Sequence, residues 1–256
     1  MGFTDILDTT FSYYRDHFRL FIGISAVYAF WYLFYRAVFS SSTHWLIDWC
    51  ALVVDALFYG WLVCASTQTY LGRHTTPGAS CRQVAHRFLS YLGSFLLWML
   101  VVGLLAITVI GIPFAIYFAT RWGFHAQAVL VEEVSATNAL RRSRELVKGT
   151  WWRVCGILFA IFLLALMIEL ILVTLLMFIA VLSGVAGEVD FTEMIQQILR
   201  IMWSPEEADR LLVVITAVVD TFTAPILPIG VTLLYFDQRI RKEGFDIEMM
   251  VTKEAM

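Results

Sequence analysis

Long apolar runs separated by short polar segments dominate the chain, and their lengths set the first expectation. A helix needs about 20 apolar residues to cross roughly 30 Å of hydrocarbon. Six runs meet that length: residues 20–39, 45–65, 92–110, 112–131, 154–182 and 211–236. Runs three and four are counted separately because Arg121 is the one charge between Phe88 and Val131, a stretch long enough for two crossings. Gly111-Ile112-Pro113 supplies a turn and a helix start between them.

Ahead of the first, third and fifth runs the spacing changes to that of an amphipathic helix. In the first such segment Phe3, Leu7, Phe11, Tyr14 and Phe18 oppose Asp5, Asp8, Ser12, Arg15 and Asp16. In the second, Cys81, Val84, Phe88 and Leu92 oppose Arg82, Gln83, His86 and Arg87. In the third, Ala139, Leu140, Ser143 and Val147 oppose Arg141, Arg142, Arg144, Glu145 and Lys148. Apolar residues facing basic ones in this way describe helices lying in the membrane interface. The expected fold is an all-α integral membrane protein with six transmembrane helices arranged as three hairpins. An interfacial amphipathic helix on the cytoplasmic side precedes each hairpin.

This gives one membrane domain, residues 1–256. Residues 1–19 form an interfacial helix and 20–65 the first hairpin. Residues 79–131 hold the second interfacial helix and hairpin, and 136–236 the third, with an external segment at 184–209. Residues 237–256 form a cytoplasmic tail. In the external segment Phe191, Met194, Ile195, Ile198 and Met202 make a fourth apolar face. Ser204, Pro205 and Glu207 then carry the start signals of the last helix.

Composition agrees with this expectation. The 256 residues are 60% hydrophobic and 15% charged, against a norm of about 25% charged in soluble domains, and mean hydropathy is +0.75. There is no room for a separate soluble catalytic domain, and a net charge of −3 suggests no nucleic-acid partner. Cys50, Cys64, Cys81 and Cys155 are scattered without metal-ligand spacing, so they read as small apolar fillers; no metal or cofactor is expected. The opening residues lack the basic start, apolar core and cleavage site of a signal peptide, and Ile6 stands where a myristoylation signal wants Ser or Thr.

Charge distribution sets the orientation. With the N-terminus inside, the cytoplasmic segments hold Arg15, Arg19, Arg73, Arg82, Arg87, Arg141, Arg142, Arg144, Lys148, Arg153, Arg239, Arg241, Lys242 and Lys253. These are fourteen of the eighteen Lys and Arg. Both ends are therefore expected inside.

Four charges interrupt the apolar runs: Asp55, Arg121, Glu169 and Asp220. Charge within hydrocarbon needs a partner or a purpose. Counted along continuous helices, all four lie roughly 13–20 Å below the outer boundary, so they are expected to form one network together with His125. Tyr117, Arg121, His125, Ala128 and Glu132 make a polar stripe on the fourth span, and Pro225 and Pro228 should kink or open the sixth. Such a layer serves either as a structural ion-pair network or as a solute or proton path. No HExxH, GxSxG, glycine-rich phosphate loop or zinc spacing is present, so no catalytic residue is proposed and no enzyme is expected.

Two stretches go beyond periodicity. One is Val131-Glu132-Glu133 followed by the segment from Ala139-Leu140-Arg141-Arg142-Ser143-Arg144 through Lys148-Gly149-Thr150-Trp151-Trp152-Arg153-Val154. The other is Leu234-Tyr235-Phe236-Asp237-Gln238-Arg239-Ile240-Arg241-Lys242-Glu243-Gly244-Phe245-Asp246. Both resemble the membrane-domain family named after glycerophosphoryl diester phosphodiesterases, a broad bacterial group. The opening from Leu7-Asp8 through Phe11, Tyr14-Arg15 and Phe18 is similar to that family's start. Gln238 stands where the family usually carries leucine. The resemblance implies a bacterial integral membrane module working beside other proteins or lipids. It does not imply hydrolysis, which in fused members belongs to a separate soluble barrel that this chain lacks.

Physically, Asp237 and Arg241 are one helical turn apart and can pair, Arg239 and Lys242 are expected to face lipid phosphates, and Gly244 ends the helix. Trp151 and Trp152 suit headgroup depth. The function expected is a non-catalytic module in the bacterial cytoplasmic membrane. It would bind anionic lipid headgroups, a membrane-protein partner or a second copy through Arg141, Arg142, Arg144, Lys148, Arg239, Arg241 and Lys242. The alternative is a transporter, or its membrane subunit, using the embedded charges and the proline-broken sixth helix.

Overall fold

A computed structural model of the protein describes residues 3–39, 45–73, 75–182, 192–193, 195–196 and 210–244. Among these, 88% are helical and none is in a strand. The chain order is α1 (Phe3–Asp16), α2 (Phe18–Phe39), α3 (Trp45–Tyr70), α4 (Pro77–His86), α5 (Phe88–Ala106), α6 (Ile112–Arg121), α7 (His125–Glu132), α8 (Ala136–Val147), α9 (Trp151–Leu182), α10 (Arg210–Thr223) and α11 (Ile226–Glu243). Most of the expected external segment at 184–209, including the start signals of the last helix, and the tail beyond Gly244 lie outside the described residues.

Five stretches are long and apolar enough to cross a membrane: Phe18–Phe39, Trp49–Tyr70, Phe88–Ala106, Trp151–Ala180 and Arg210–Glu243. They fit a multi-pass membrane protein. Their outward surfaces agree, since Phe30, Leu89, Leu104, Phe159 and Ile171 are all exposed, apolar residues suited to lipid.

The expected fourth span is not one helix. It is divided into α6 and α7 by a turn at Trp122-Gly123-Phe124. A side chain from α8 holds the division open. The Phe124 N–H donates to Ser143 Oγ at 3.0 Å, and Ser143 Oγ donates to the Arg121 carbonyl at 3.0 Å. Ser143 thus serves a donor and an acceptor that continuous helix would pair internally, as an inserted polar group does at a helix kink. The turn before α6 is equally specific. A Cβ at Gly111 would run into the Leu105 carbonyl oxygen and the Thr108 hydroxyl, so only glycine fits there.

The last helix is also interrupted. Pro225 has no N–H to donate, and α10 and α11 part at Ala224–Pro225. Tyr14 of α1 donates its hydroxyl to the Phe222 carbonyl at the break, 2.9 Å away, and burial pushes that hydroxyl up to about 12. Tyr13 reaches the Ser66 carbonyl at 3.1 Å and also bonds Thr69. These bonds correct the expected face of α1. Ile6 and Thr10 turn inward, while Phe11 and Phe18 are exposed. The face is set by where Tyr13 and Tyr14 can find acceptors. On α4, Ser80 and Val84 are buried and Cys81 is exposed. On α8, Ala139, Ser143, Leu146 and Val147 face inward.

α1, α4 and α8 each run directly into a long helix, through His17, Arg87 and residues 148–150 respectively. The core centres on α11, which packs against α1, α3 and α9 and is buried at Ile226 and from Pro228 to Gln238. Tyr235 and Phe236 are wholly enclosed, with Phe236 stacked on Tyr70. The segment His125–Leu130 of α7 is likewise buried, against α3, α5 and α8.

Candidate functional site

The two stretches that carry the family resemblance meet at the basic end of the bundle, because α7, α8 and α11 terminate side by side there. Glu132, the last residue of α7, accepts from Arg142 Nε at 2.7 Å and from the Tyr235 hydroxyl at 2.5 Å, and lies 3.6 Å from Arg239 Nε. Glu243 completes the group, 2.5 Å from Arg142 Nη2 and 3.3 Å from Arg239 Nε. The four charged side chains are 13–27% exposed. Burial alone would lower the Arg142 pKa, but Glu132 and Glu243 outweigh it and hold the guanidinium above its usual range.

A second group sits beside the first. Asp237, 4% exposed, accepts from Arg153 Nη1 at 2.9 Å and Arg241 Nε at 3.1 Å. The Thr150 hydroxyl bonds Gln238 Oε1 at 3.0 Å, so this buried polar side chain has a specific contact. Lys242 Nζ donates to the Glu145 and Lys148 carbonyls at 2.8 and 2.5 Å, satisfying the end of α8. Gly244 takes the left-handed conformation, φ 62°, that closes α11.

Four of the seven expected headgroup residues are therefore engaged within the fold: Arg142 and Arg239 by glutamates, Arg241 by Asp237, and Lys242 by carbonyls. Arg239 and Lys242, expected to face lipid phosphates, point instead to these partners. Buried acceptors at α7 and the end of α8 outcompete the surface. Arg141 makes an exposed pair with Glu145 at 3.2 Å. Arg144 and Lys148 remain, and with Arg121 they line a groove of about 290 Å³ whose other walls are Tyr117, Val147, Gly149 and Trp151. No carboxylate lines it. Arg121 Nη1 donates to the Tyr117 hydroxyl at 2.8 Å, its guanidinium 5.4 Å from that ring. Trp151 Nε1 donates to the Tyr117 carbonyl at 3.3 Å, and Trp152, edge-on to Trp151, is 83% exposed.

The charges of the apolar runs do not converge as a single network. Arg121 lies in this groove and makes no ion pair with Asp55, Glu169 or Asp220. His125 is buried between Tyr91 and Trp98, 3.1 Å from Ser94 Oγ. Two of the acids, Asp55 and Asp220, lie elsewhere, around Tyr28 and Tyr32 of α2, and Glu169 lies near Asp220. Asp55 shares a cavity with Tyr28, and Asp220 interacts electrostatically with Glu169 and both tyrosines. The expected network rested on depth alone; α6 packs against α8 and α9, so Arg121, its last residue, meets the junction of those two helices rather than the acids. Ser25, Tyr28, Tyr32 and Arg36, spaced by three and four along α2, are a polar stripe that would have located the acids' surroundings. No family model matches the chain, and no curated protein or solved structure matches it.

Proposed function

We propose that the protein is a non-catalytic, multi-pass module of a bacterial cytoplasmic membrane that holds an anionic lipid headgroup in the groove of Arg121, Arg144 and Lys148. The observation that carries this reading is the contrast within the basic end: the other cations of α8 and α11 have acidic or carbonyl partners, whereas this groove gathers three cations without a carboxylate. Trp152, beside the groove's Trp151, is exposed, and α6, which supplies Tyr117 and Arg121 to the groove, exposes Ile112, Phe114 and Ile116 nearer its start, which suits a ligand that brings acyl chains. In this reading both ends lie on the cytoplasmic side, α6 and α7 together make an interrupted fourth crossing, and α1, α4 and α8 lie in the interface. It is also the kind of module that the two resembling stretches imply. The ion-pair groups around Glu132 and Asp237 serve as the frame that fixes α8 against α11.

Each basic residue near a membrane surface contributes about 1 kcal/mol toward anionic lipid. Losing Arg144 and Lys148 together therefore costs about 2 kcal/mol, roughly thirtyfold in affinity. Native mass spectrometry of protein extracted from phosphatidylglycerol-containing membranes tests this. Wild type and the Arg141→Ala control should retain anionic lipid, and the Arg144→Ala/Lys148→Ala protein should lose it. Equal retention in all three would reduce the basic residues to an orientation signal and overturn the reading.

A further inference from the structure

A second cavity, about 170 Å³, lies where α2 and α3 meet the break between α10 and α11, with Ala224 in its wall. Four features of it point to one class of ligand. Asp55 is exposed there, although it stands about 15 Å along α3 from the helix's first residue. A carboxylate at that depth on a lipid-embedded helix is costly unless charged or polar groups meet it. The Tyr28 hydroxyl bonds it, but Arg121 does not pair with it, so among the described residues its charge has no cation beside it.

Ser25 lines the same cavity. It is 0% exposed and its hydroxyl has no hydrogen-bond partner. Several helical serines and threonines in this chain bond back one turn, as Ser66 does to the Leu62 carbonyl at 2.7 Å and Thr10 to the Ile6 carbonyl at 2.7 Å. Of the unpartnered hydroxyls among the described residues, those of Ser25, Thr67 and Thr232, Ser25 is the one that lines this cavity. Ser25 forgoes that bond, and its oxygen is left to the cavity. A buried polar group without a partner is costly, so something that bonds it would be stabilising.

Tyr28, Phe58 and Tyr59 supply the third feature. The Tyr28 and Phe58 rings meet edge to face with centroids 5.1 Å apart, forming an aromatic corner beside the carboxylate. Lastly, Asp220 lies near enough to Tyr28 to add negative potential, with Glu169 in turn near Asp220, while Arg36 lies farther along the α2 stripe, near Tyr32. An anion would be repelled. A bare divalent ion wants several hard ligands, and among the described residues no three His, Cys, Asp or Glu are grouped to hold one. An aromatic corner with a carboxylate and a free hydroxyl is instead the chemistry that holds an alkylated ammonium ion. The volume suits one small molecule, comparable to a cavity of about 150 Å³ that takes benzene.

We propose that this cavity binds a small organic ammonium ion, with Asp55 holding the charge, Ser25 Oγ accepting an N–H, and Tyr28, Phe58 and Tyr59 enclosing the alkyl groups. The site shares no residue with the basic groove, so its failure would leave the lipid reading intact.

The test is calorimetric titration of the full chain in nanodiscs with trimethylammonium chloride, against sodium chloride and the neutral isostere tert-butanol. Wild type should bind trimethylammonium saturably, and sodium and tert-butanol should bind at least about tenfold more weakly. Asp55→Asn should lower trimethylammonium affinity by roughly tenfold or more. Ser25→Ala should lower it severalfold yet melt no lower than wild type without ligand, because it removes an unpaired buried hydroxyl. Should Asp55→Asn fail to fold, Phe58→Leu carries the same prediction through loss of the aromatic corner. Absence of saturable binding, affinity unchanged by Asp55→Asn or Phe58→Leu, or equal binding of tert-butanol or sodium would each overturn the proposal.

Discussion

Ser143 offers a direct test of how the basic groove is built. One oxygen atom, in a residue that is 0% exposed, pairs the Phe124 N–H and the Arg121 carbonyl at the break between α6 and α7. Replacing Ser143 with alanine deletes that atom with little change in packing. Phe124 is itself wholly buried, so its N–H is stranded without water, at a cost of about 1–3 kcal/mol. The Arg121 carbonyl belongs to a half-buried residue and finds water more easily. Partial straightening of the turn would return some backbone bonds, offsetting part of the loss. The expected net destabilisation is about 2 kcal/mol. Unfolding in mixed micelles of increasing denaturing detergent, followed by tryptophan fluorescence, gives the measurement. Thr9→Ala is the control, since its hydroxyl makes only an exposed bond to the Asp5 carbonyl at 2.6 Å, and it should change stability by less than about 0.5 kcal/mol. Lipid retention should fall together with stability in Ser143→Ala, because Arg121 and Arg144 are held relative to each other across this bond. An alanine protein that unfolds with wild type would refute the idea that Ser143 maintains the break.

Two further outcomes follow from the placement of charge. Arg121→Leu should change stability by less than about 1 kcal/mol, because it loses a half-exposed bond to Tyr117 and strands no acid; a large drop in melting temperature rescued by Glu169→Gln or Asp220→Asn would instead restore a single embedded network. Tyr235→Phe should cost about 1–2 kcal/mol and Glu132→Gln somewhat more, since the latter removes a charged partner from both Arg142 and Arg239, and a double-mutant cycle between them should show coupling near 1 kcal/mol. Additive losses in that cycle would mean the hydroxyl and the carboxylate act separately.

Periodicity located most helices because burial in a bundle and exposure to lipid both impose a 3.6-residue repeat on hydrophobic positions. The three short helices ahead of α2, α5 and α9 were legible for this reason, as was the end of α11 at Gly244, where the left-handed conformation is a local demand. The division of 112–131 was not, because apolar composition is the same on both sides of Trp122-Gly123-Phe124. What breaks the helix is Ser143, nineteen residues away in sequence. In the sequence Ser143 looks like a neutral member of an apolar face.

The same distinction explains the site. Counting depth along a span treats each helix as a rigid ruler, so Arg121 and the acids seemed to share a layer. Depth alone does not say which neighbours a side chain meets: Arg121, at the end of α6, adjoins the junction of α8 and α9, while Asp55 and Asp220 stay with the α2 stripe. Clusters of basic residues also conceal which charges are spent within the fold. Arg142 and Arg144 are two positions apart on α8, and helical geometry turns the first toward Glu132 and Glu243 and the second toward the groove. The i, i+4 pair of Asp237 and Arg241 could be read locally, but the partners of Arg153 and Arg142 lie 84 and 101 positions away, and only the folded chain assigns them. Ligand-facing cations are those left over after the long-range acids have chosen. That is why the proposed headgroup site comprises Arg121, Arg144 and Lys148, of which Arg121 had been assigned to a different purpose.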